Sequence, residues 1–206
     1  MQRTSILLFF MINWLIANWI EIIGAIAGFI YIFLEIKGKP SMWPIGLITS
    51  IFYILVFFYS GFYAEMGLQF YYVFISIYGW YWWINGAKYK QQKILSISYL
   101  NKKTGVVLTI ISAFLFVAIS FLLINYTDST VPYWDSFTTS LSITATWMLA
   151  RKIIEHWYIW ILVNFVSIGL YFYKDLYLTS ILFAAYFVLS IVGFIEWKKI
   201  ANSASQ

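Results

Sequence analysis

The stretch His156–Phe165 reads HWYIWILVNF and sets Trp157 and Trp160 three residues apart, with Asn164 four further on. At about 100° per residue a helix brings these three onto one face with Ser167 and Tyr171, while Ile159, Leu162, Val163, Val166 and Leu170 take the other. Indole rings and a carboxamide at that spacing hold a molecule rather than transform it. The rings offer stacking and cation–π attraction, about 0.5–2 kcal/mol per contact, and the amide both donates and accepts hydrogen bonds. Three other segments carry comparable faces: Gln69, Tyr72, Ser76, Gly79 and Trp83; Asp135, Thr138, Thr139, Ser142 and Thr146; and Glu21, Gly24, Ala25 and Gly28.

Bond-making chemistry has little to work with. The chain has no cysteine and one histidine, which excludes a disulfide framework, an iron–sulfur cluster, a thiolate nucleophile and a multi-histidine metal centre. A serine hydrolase needs a base within reach of its serine, and His156 falls between apolar runs beside Glu155, where it reads as an ordinary interfacial residue. The expectation is a protein that is not an enzyme and uses no cofactor and no metal.

The elements that position these faces follow from composition. With 63% hydrophobic and 10% charged residues and a mean hydropathy of +0.82, a 206-residue chain cannot cover its apolar surface in water, so its solvent is mostly lipid. Seven runs are long enough to span: Trp19 to Ile36, Trp43 to Ser60, Met66 to Trp83, Gly105 to Asn125, Trp134 to Ala150, Trp157 to Tyr173 and Tyr177 to Trp197. With seven spans, alternate loops gather Lys37, Lys39, Lys88, Lys90, Lys93, Lys102, Lys103, Arg151, Lys152, Lys198 and Lys199 on one side and leave Arg3 and Lys174 on the other. The positive-inside rule then puts the N-terminus outside and the C-terminus in the cytoplasm. The net charge of +5 is thereby a topology signal and calls for no nucleic-acid partner. The opening MQRTSILLFF reads as an uncleaved lead-in to the first span.

A repeat lies within this pattern. At an offset of 114 residues, Trp43 pairs with Trp157, Tyr59 with Tyr173, Tyr72 with Tyr186, Ser76 with Ser190, Gly79 with Gly193 and Trp83 with Trp197, without a gap; further back, Glu21 pairs with Asp135 and Lys37 with Arg151. The expected organisation is a lead-in (1–18), a first three-helix repeat (19–85), a basic cytoplasmic loop with an inverting linker helix (86–130), a second three-helix repeat (131–200) and a cytoplasmic tail (201–206). Two three-span units lie parallel only when an odd number of spans joins them, so the fold class expected is an all-α integral membrane protein with 3+1+3 parallel repeats. Transporters on such plans hold their substrate between repeats near the midplane. Gly28, Ser76, Ser142 and Asn164 centre their helices at about the same level, roughly 12 Å from either end at 1.5 Å per residue.

The candidate binding residues are therefore Trp157, Trp160, Asn164, Gln69, Tyr72, Ser76, Ser142, Thr138, Asp135 and Tyr186, the last being the counterpart of Tyr72. Other roles compete with binding. Hydroxyl and small residues glue membrane helices together, and Trp43, Trp83, Trp157 and Trp197 stand near span ends where such rings anchor at the interface. Glu21 and Asp135, near the outer ends, serve equally as solvated caps or as a cation-attracting vestibule.

The segments WIEIIGAIAG, YAEMGLQFYYVFISIYGWYWW, PYWDS and RKIIEHWYIWILVNFVS resemble the hallmark segments of the PnuC family of vitamin transporters, over nearly the whole chain. The GWYxW end of the third span together with the WxxWxxxN face of the sixth is the most specific part. The resemblance implies a SWEET-like seven-helix fold, a homotrimer, and a place in the bacterial inner membrane. It also implies facilitated diffusion of an unphosphorylated vitamin that a cytoplasmic kinase then traps. Members include nicotinamide riboside carriers and thiamine carriers. Carried over, the family's aromatic pair falls on Trp157 and Trp160, its amide on Asn164 and its span-three glutamine on Gln69. Nicotinamide riboside carriers tend to have Asn ahead of the IYGW segment where this chain has Ser76, which puts thiamine ahead of nicotinamide riboside as the expected substrate. Both are cationic aromatic rings suited to Trp and Tyr faces. A proton-coupled version acting through Glu21 or Asp135 is the further alternative, though acids at the outer ends are poorly placed for a midplane relay.

Overall fold

The computed structural model describes residues 19–60, 63–89, 96–173 and 177–203. The lead-in, Lys90, Lys93, Lys174, the last three residues and the side chain of Glu21 lie outside the described part. Within it the chain forms seven helices: α1 (Trp19–Ile36), α2 (Met42–Ser60), α3 (Tyr63–Tyr89), α4 (Lys102–Tyr126), α5 (Pro132–Ala150), α6 (His156–Tyr173) and α7 (Tyr177–Ser203). Each coincides with one apolar run. α3, α4 and α7 extend past their runs, because hydropathy measures the stretch suited to lipid whereas helical hydrogen bonding continues into polar flanks.

Helix starts have local causes. The Asn101 side chain accepts a bond from Thr104 N at the start of α4. Pro132 opens α5 where no backbone donor is needed, and Asp135 in that first turn faces the positive end of the helix. The outward faces carry many large apolar side chains: Phe74 and Phe114 stand 69% and 70% exposed, in company with Phe52, Phe165 and Ile181. α4 and the Thr179–Ser203 part of α7 are each long and apolar enough to cross a membrane. In lipid such faces lose nothing; in water each square ångström costs about 25 cal/mol.

The helices pack as two triplets. α1 and α3 both lie on α2, α5 and α7 both lie on α6, and α4 rests on α5. The triplets meet along α1 with α7 and along α3 with α5.

Contacts in one triplet recur in the other 114 residues on. α1 ends in a Schellman cap, with Gly38 N donating to Glu35 O (2.9 Å) and Lys39 N to Leu34 O (2.9 Å); α5 ends in the same cap, with Lys152 N donating to Leu149 O (2.9 Å) and Ile153 N to Met148 O (3.0 Å). The left-handed position is Gly38 (φ 61°) in the first and Lys152 (φ 55°) in the second, where a side chain costs about 1–2 kcal/mol. Trp197 Nε1 donates to Glu35 O (2.9 Å), and its counterpart Trp83 donates to Leu149 O (3.3 Å), so each indole satisfies a terminal carbonyl in the opposite triplet. Trp43 meets Trp83 edge-on at 5.7 Å and 86°, and Trp157 meets Trp197 at 5.8 Å and 85°. Trp83 and Trp197 touch at 6.1 Å, joining the two halves into one aromatic block. On the same end the α3–α4 connection pairs with the α5–α6 loop, Ser98 N donating to Lys152 O and Ile154 N to Ser98 O.

Candidate functional site

α5 carries a ladder of hydroxyls that would be costly in an apolar bundle, and the helix absorbs most of them itself. Ser136, Ser142, Thr144 and Thr146 each donate to the carbonyl four residues back, and Thr138 donates to Trp134 O. Their outward lone pairs then meet neighbours. Ser112 of α4 bonds Thr144 at 2.6 Å, and Tyr72 of α3 bonds Ser142. The counterpart of that last contact is the approach of the Tyr186 hydroxyl to Gly28 of α1, with Phe29 against the Tyr186 ring at 5.6 Å. Two tyrosines thus cross between triplets at mid-helix, one onto a serine and one onto a glycine.

On α6, Asn164 is 4% exposed, and its Nδ2 donates to Ser190 Oγ at 3.0 Å, which in turn donates to Tyr186 O at 2.8 Å. One turn earlier, Trp160 presents a buried Nε1–H with no hydrogen-bond partner among the described residues. Such a donor costs about 1–3 kcal/mol until an acceptor reaches it. Tyr171, two turns after Asn164, packs against Phe183 with its ring tilted by 31° at 4.9 Å.

The sequence-predicted residues fall into groups. Tyr72 and Ser142 bond each other, Asn164 is joined through Ser190 to the backbone of Tyr186, and half-buried Gln69 lies one turn from Tyr72 on α3. Ser76 is buried against Gly46 of α2, so the four residues expected at one level each engage a neighbour rather than one another. Thr138 and Asp135 stand at the opposite end of α5 from the aromatic block, Asp135 accepting from Ser129 Oγ at 2.8 Å. Trp157 is fully buried in the aromatic block, pressed on Gly193 and flanked by His156 at 4.6 Å and Trp197 at 5.8 Å. A groove of about 490 Å³ between α3, α4 and α5, lined by Tyr71, Lys103, Leu108 and Trp147, contains none of the predicted residues.

One reading of a single residue is corrected, and two basic residues have partners that the sequence did not show. His156 is not interfacial: it begins α6, has no exposed surface, and its Nε2 lies 3.2 Å from Glu35 Oε1. Lys152 is buried: its ammonium sits 4.4 Å over the Trp83 ring, and burial pushes its pKa down to about 8. Arg151 stacks 4.1 Å over Trp82 and donates to Tyr78 OH at 2.8 Å. The one sign of the histidine pair in the sequence was Glu35 itself, an acid aligned with Leu149 of the second copy.

The sequence profile of the nicotinamide mononucleotide transporter family matches residues 18–199. The chain belongs to the PnuC family. That is a family of transporters and not of enzymes. The nicotinamide riboside transporter PnuC of Escherichia coli (strain K12) is 26% identical, over 92% of this chain and 87% of that protein. The riboflavin/roseoflavin transporter RibM of Streptomyces davaonensis is 24% identical, over 87% and 84%. The crystal structure of the vitamin B3 transporter PnuC shares the fold, with a TM-score of 0.70 over 90% of this chain and 83% of that one at 24% identity.

Proposed function

We propose that this PnuC-family protein carries nicotinamide riboside, unphosphorylated, by facilitated diffusion across the bacterial inner membrane, with cytoplasmic phosphorylation trapping the vitamin. Residues 19–85 and 131–200 serve as parallel repeats joined by the inverting segment 86–130, N-terminus outside and C-terminus inside, in a homotrimer. Thiamine, the first expectation from Ser76, gives way. The names of the relatives specify nicotinamide riboside and riboflavin, which share a flat heteroaromatic ring bearing a ribose-derived, multiply hydroxylated group, and thiamine has no such group.

The observation that supports the reading best is the unpaired Trp160 Nε1–H, one helical turn from buried Asn164. A donor held in that place suits an acceptor on a ligand that also stacks on the indole face. Tyr72 and Tyr186 supply further aromatic surface, Trp157 backs the site from within the closed aromatic block, and Gln69, Ser76, Thr138 and Ser142 supply hydrogen bonds to hydroxyls and carboxamide. Asp135 attracts the cation at the outer end.

Titration of the purified protein with nicotinamide riboside, thiamine and riboflavin, followed by tryptophan fluorescence, tests the substrate. Saturable quenching by nicotinamide riboside supports the proposal; saturation by thiamine alone or riboflavin alone replaces it. Uptake into proteoliposomes that is indifferent to an imposed pH gradient supports facilitated diffusion, and uptake that collapses the gradient refutes it.

A further inference from the structure

Glu35 closes α1 and His156 opens α6, in opposite triplets, and they are 4% and 0% exposed. His156 Nδ1 lies 2.7 Å from Ile153 O, and Nε2 lies 3.2 Å from Glu35 Oε1. A carbonyl oxygen only accepts, so Nδ1 carries a hydrogen. With that nitrogen occupied, neutral imidazole offers Glu35 only a lone pair, and an ionised carboxylate offers only lone pairs in return. The contact therefore requires one proton between them. Imidazolium facing carboxylate and imidazole facing carboxylic acid both satisfy it, and both hold the same number of protons. Removing that proton leaves a buried anion against a lone pair, which the enclosure opposes strongly.

The second triplet shows that packing alone does not need this pair. The positions related to Glu35 and His156 by the 114-residue offset are Leu149 and Met42, which are 1% and 0% exposed. There the same junction closes with two apolar side chains. A buried ionisable pair is commonly no more stabilising than its apolar replacement, so its use lies elsewhere.

Other titratable and charged side chains lie around the pair. On α1, Tyr31 lies one turn before Glu35, and Lys37 just past the helix end is exposed. In the α5–α6 loop, Arg151 and Lys152 place their charges over Trp82 and Trp83, and Glu155 accepts from Leu100 N at 2.9 Å. On α7, Glu196 pairs with Lys199 at the surface. α2 and α3 face the pair's surroundings with Met42, Trp43 and Trp83, none of which titrates here.

We propose that Glu35 and His156 form a one-proton site that locks the lysine-rich ends of the two triplets together, so that losing the proton favours separation at that end. The inference rests on the transporter reading only for the meaning of the motion, since a carrier must part its triplets there to release substrate. Linkage sets the size of the effect: one proton lost on opening lowers the closed-to-open ratio up to tenfold per pH unit. The site meets water only when this end parts. It therefore senses pH on that side and does not move a proton with each vitamin.

The chain has no native cysteine, so spin labels are placed cleanly at Lys37→Cys and Lys198→Cys, one exposed position on each triplet. Electron–electron distance measurements between about pH 5 and about pH 9 should show a longer-distance population that grows with pH, up to tenfold per unit. Glu35→Gln keeps the contact, its amide donating to neutral Nε2, and so needs no titratable proton shared between the two side chains; its profile should lose the rise with pH. Glu35→Leu with His156→Met, copying the other triplet, should fold and also be flat. Acrylamide quenching of tryptophan gives a second readout of the same opening. A flat wild-type profile, or either variant keeping the wild-type slope, overturns the proposal. Vitamin binding on the same samples separates the claims: binding without a pH response removes only the proton site, and a pH response without binding removes only the transporter reading.

Discussion

A methyl group added at Gly193 tests whether the aromatic block is as tightly closed as its geometry implies. The Cβ of Gly193→Ala would stand 2.6 Å from Trp157 Cζ3, against an ordinary contact of 3.4–4 Å. The indole must therefore retreat by roughly 1 Å, and it is walled by His156 on one side and Trp197 on the other. Overpacking of this kind costs about 1–3 kcal/mol. Alanine also gains up to about 1 kcal/mol over glycine in any helix. Gly169→Ala isolates that gain, because nothing lies within 4 Å of its added Cβ. In a thermal melt of the purified protein, Gly193→Ala should fall about 2–12 °C below Gly169→Ala, at about 2–4 °C per kcal/mol for a chain of this length. Gly79→Ala should behave like Gly193→Ala, since its Cβ would stand 2.6 Å from Trp43 Cε2. If Gly193→Ala and Gly169→Ala melt together, Trp157 has room to move and the closed block is wrongly argued.

The remaining predictions address other contacts. Trp197→Phe and Trp83→Phe each remove an indole N–H from a terminal carbonyl of the opposite triplet, and each should lower stability by about 1–3 kcal/mol, read as a shift in melting temperature. Trp160→Phe removes an N–H that has no partner among the described residues; it should leave the melt unchanged or raised while weakening nicotinamide riboside binding about tenfold in the quenching titration. Burial lowers the Lys152 pKa from 10.5 to about 8, so below about pH 8 the folded state carries the full cost of the buried charge. Stability should then rise as pH rises from about 8 to about 10.5, by no more than about 3 kcal/mol because the Trp83 face offsets part of the cost. Lys152→Met should abolish that rise, and a melt series across this range decides it.

Particular residues show how far the sequence could be read. The end of α1 coincides with the end of its apolar run at Ile36, because the basic KGKPS segment stops both the lipid-compatible stretch and the helix. The α3 boundaries do not, since the helix continues to Tyr89 through residues that lipid does not require. The face of α6 holding Trp157, Trp160, Asn164 and Ser167 was legible from periodicity, yet Val163 and Leu170 on the opposite face are also buried, 3% and 9% exposed. α6 packs on both α5 and α7, and a helix with two protein neighbours buries apolar and polar sides alike.

By itself the sequence pointed to a lipid-facing helical bundle of the PnuC family, and it carried the 114-residue offset by which contacts recur. These are properties of composition and local period, which any window of the chain reports. Only the tertiary structure decided that Glu35 and His156, 121 residues apart, share a buried contact. It alone put Lys152 over Trp83, and set Tyr72 and Tyr186 across the junction of the two triplets. Such pairings arise where distant helix faces are forced together, and the energy of a buried charge or an unpaired N–H depends on what that packing brings within about 3 Å of it.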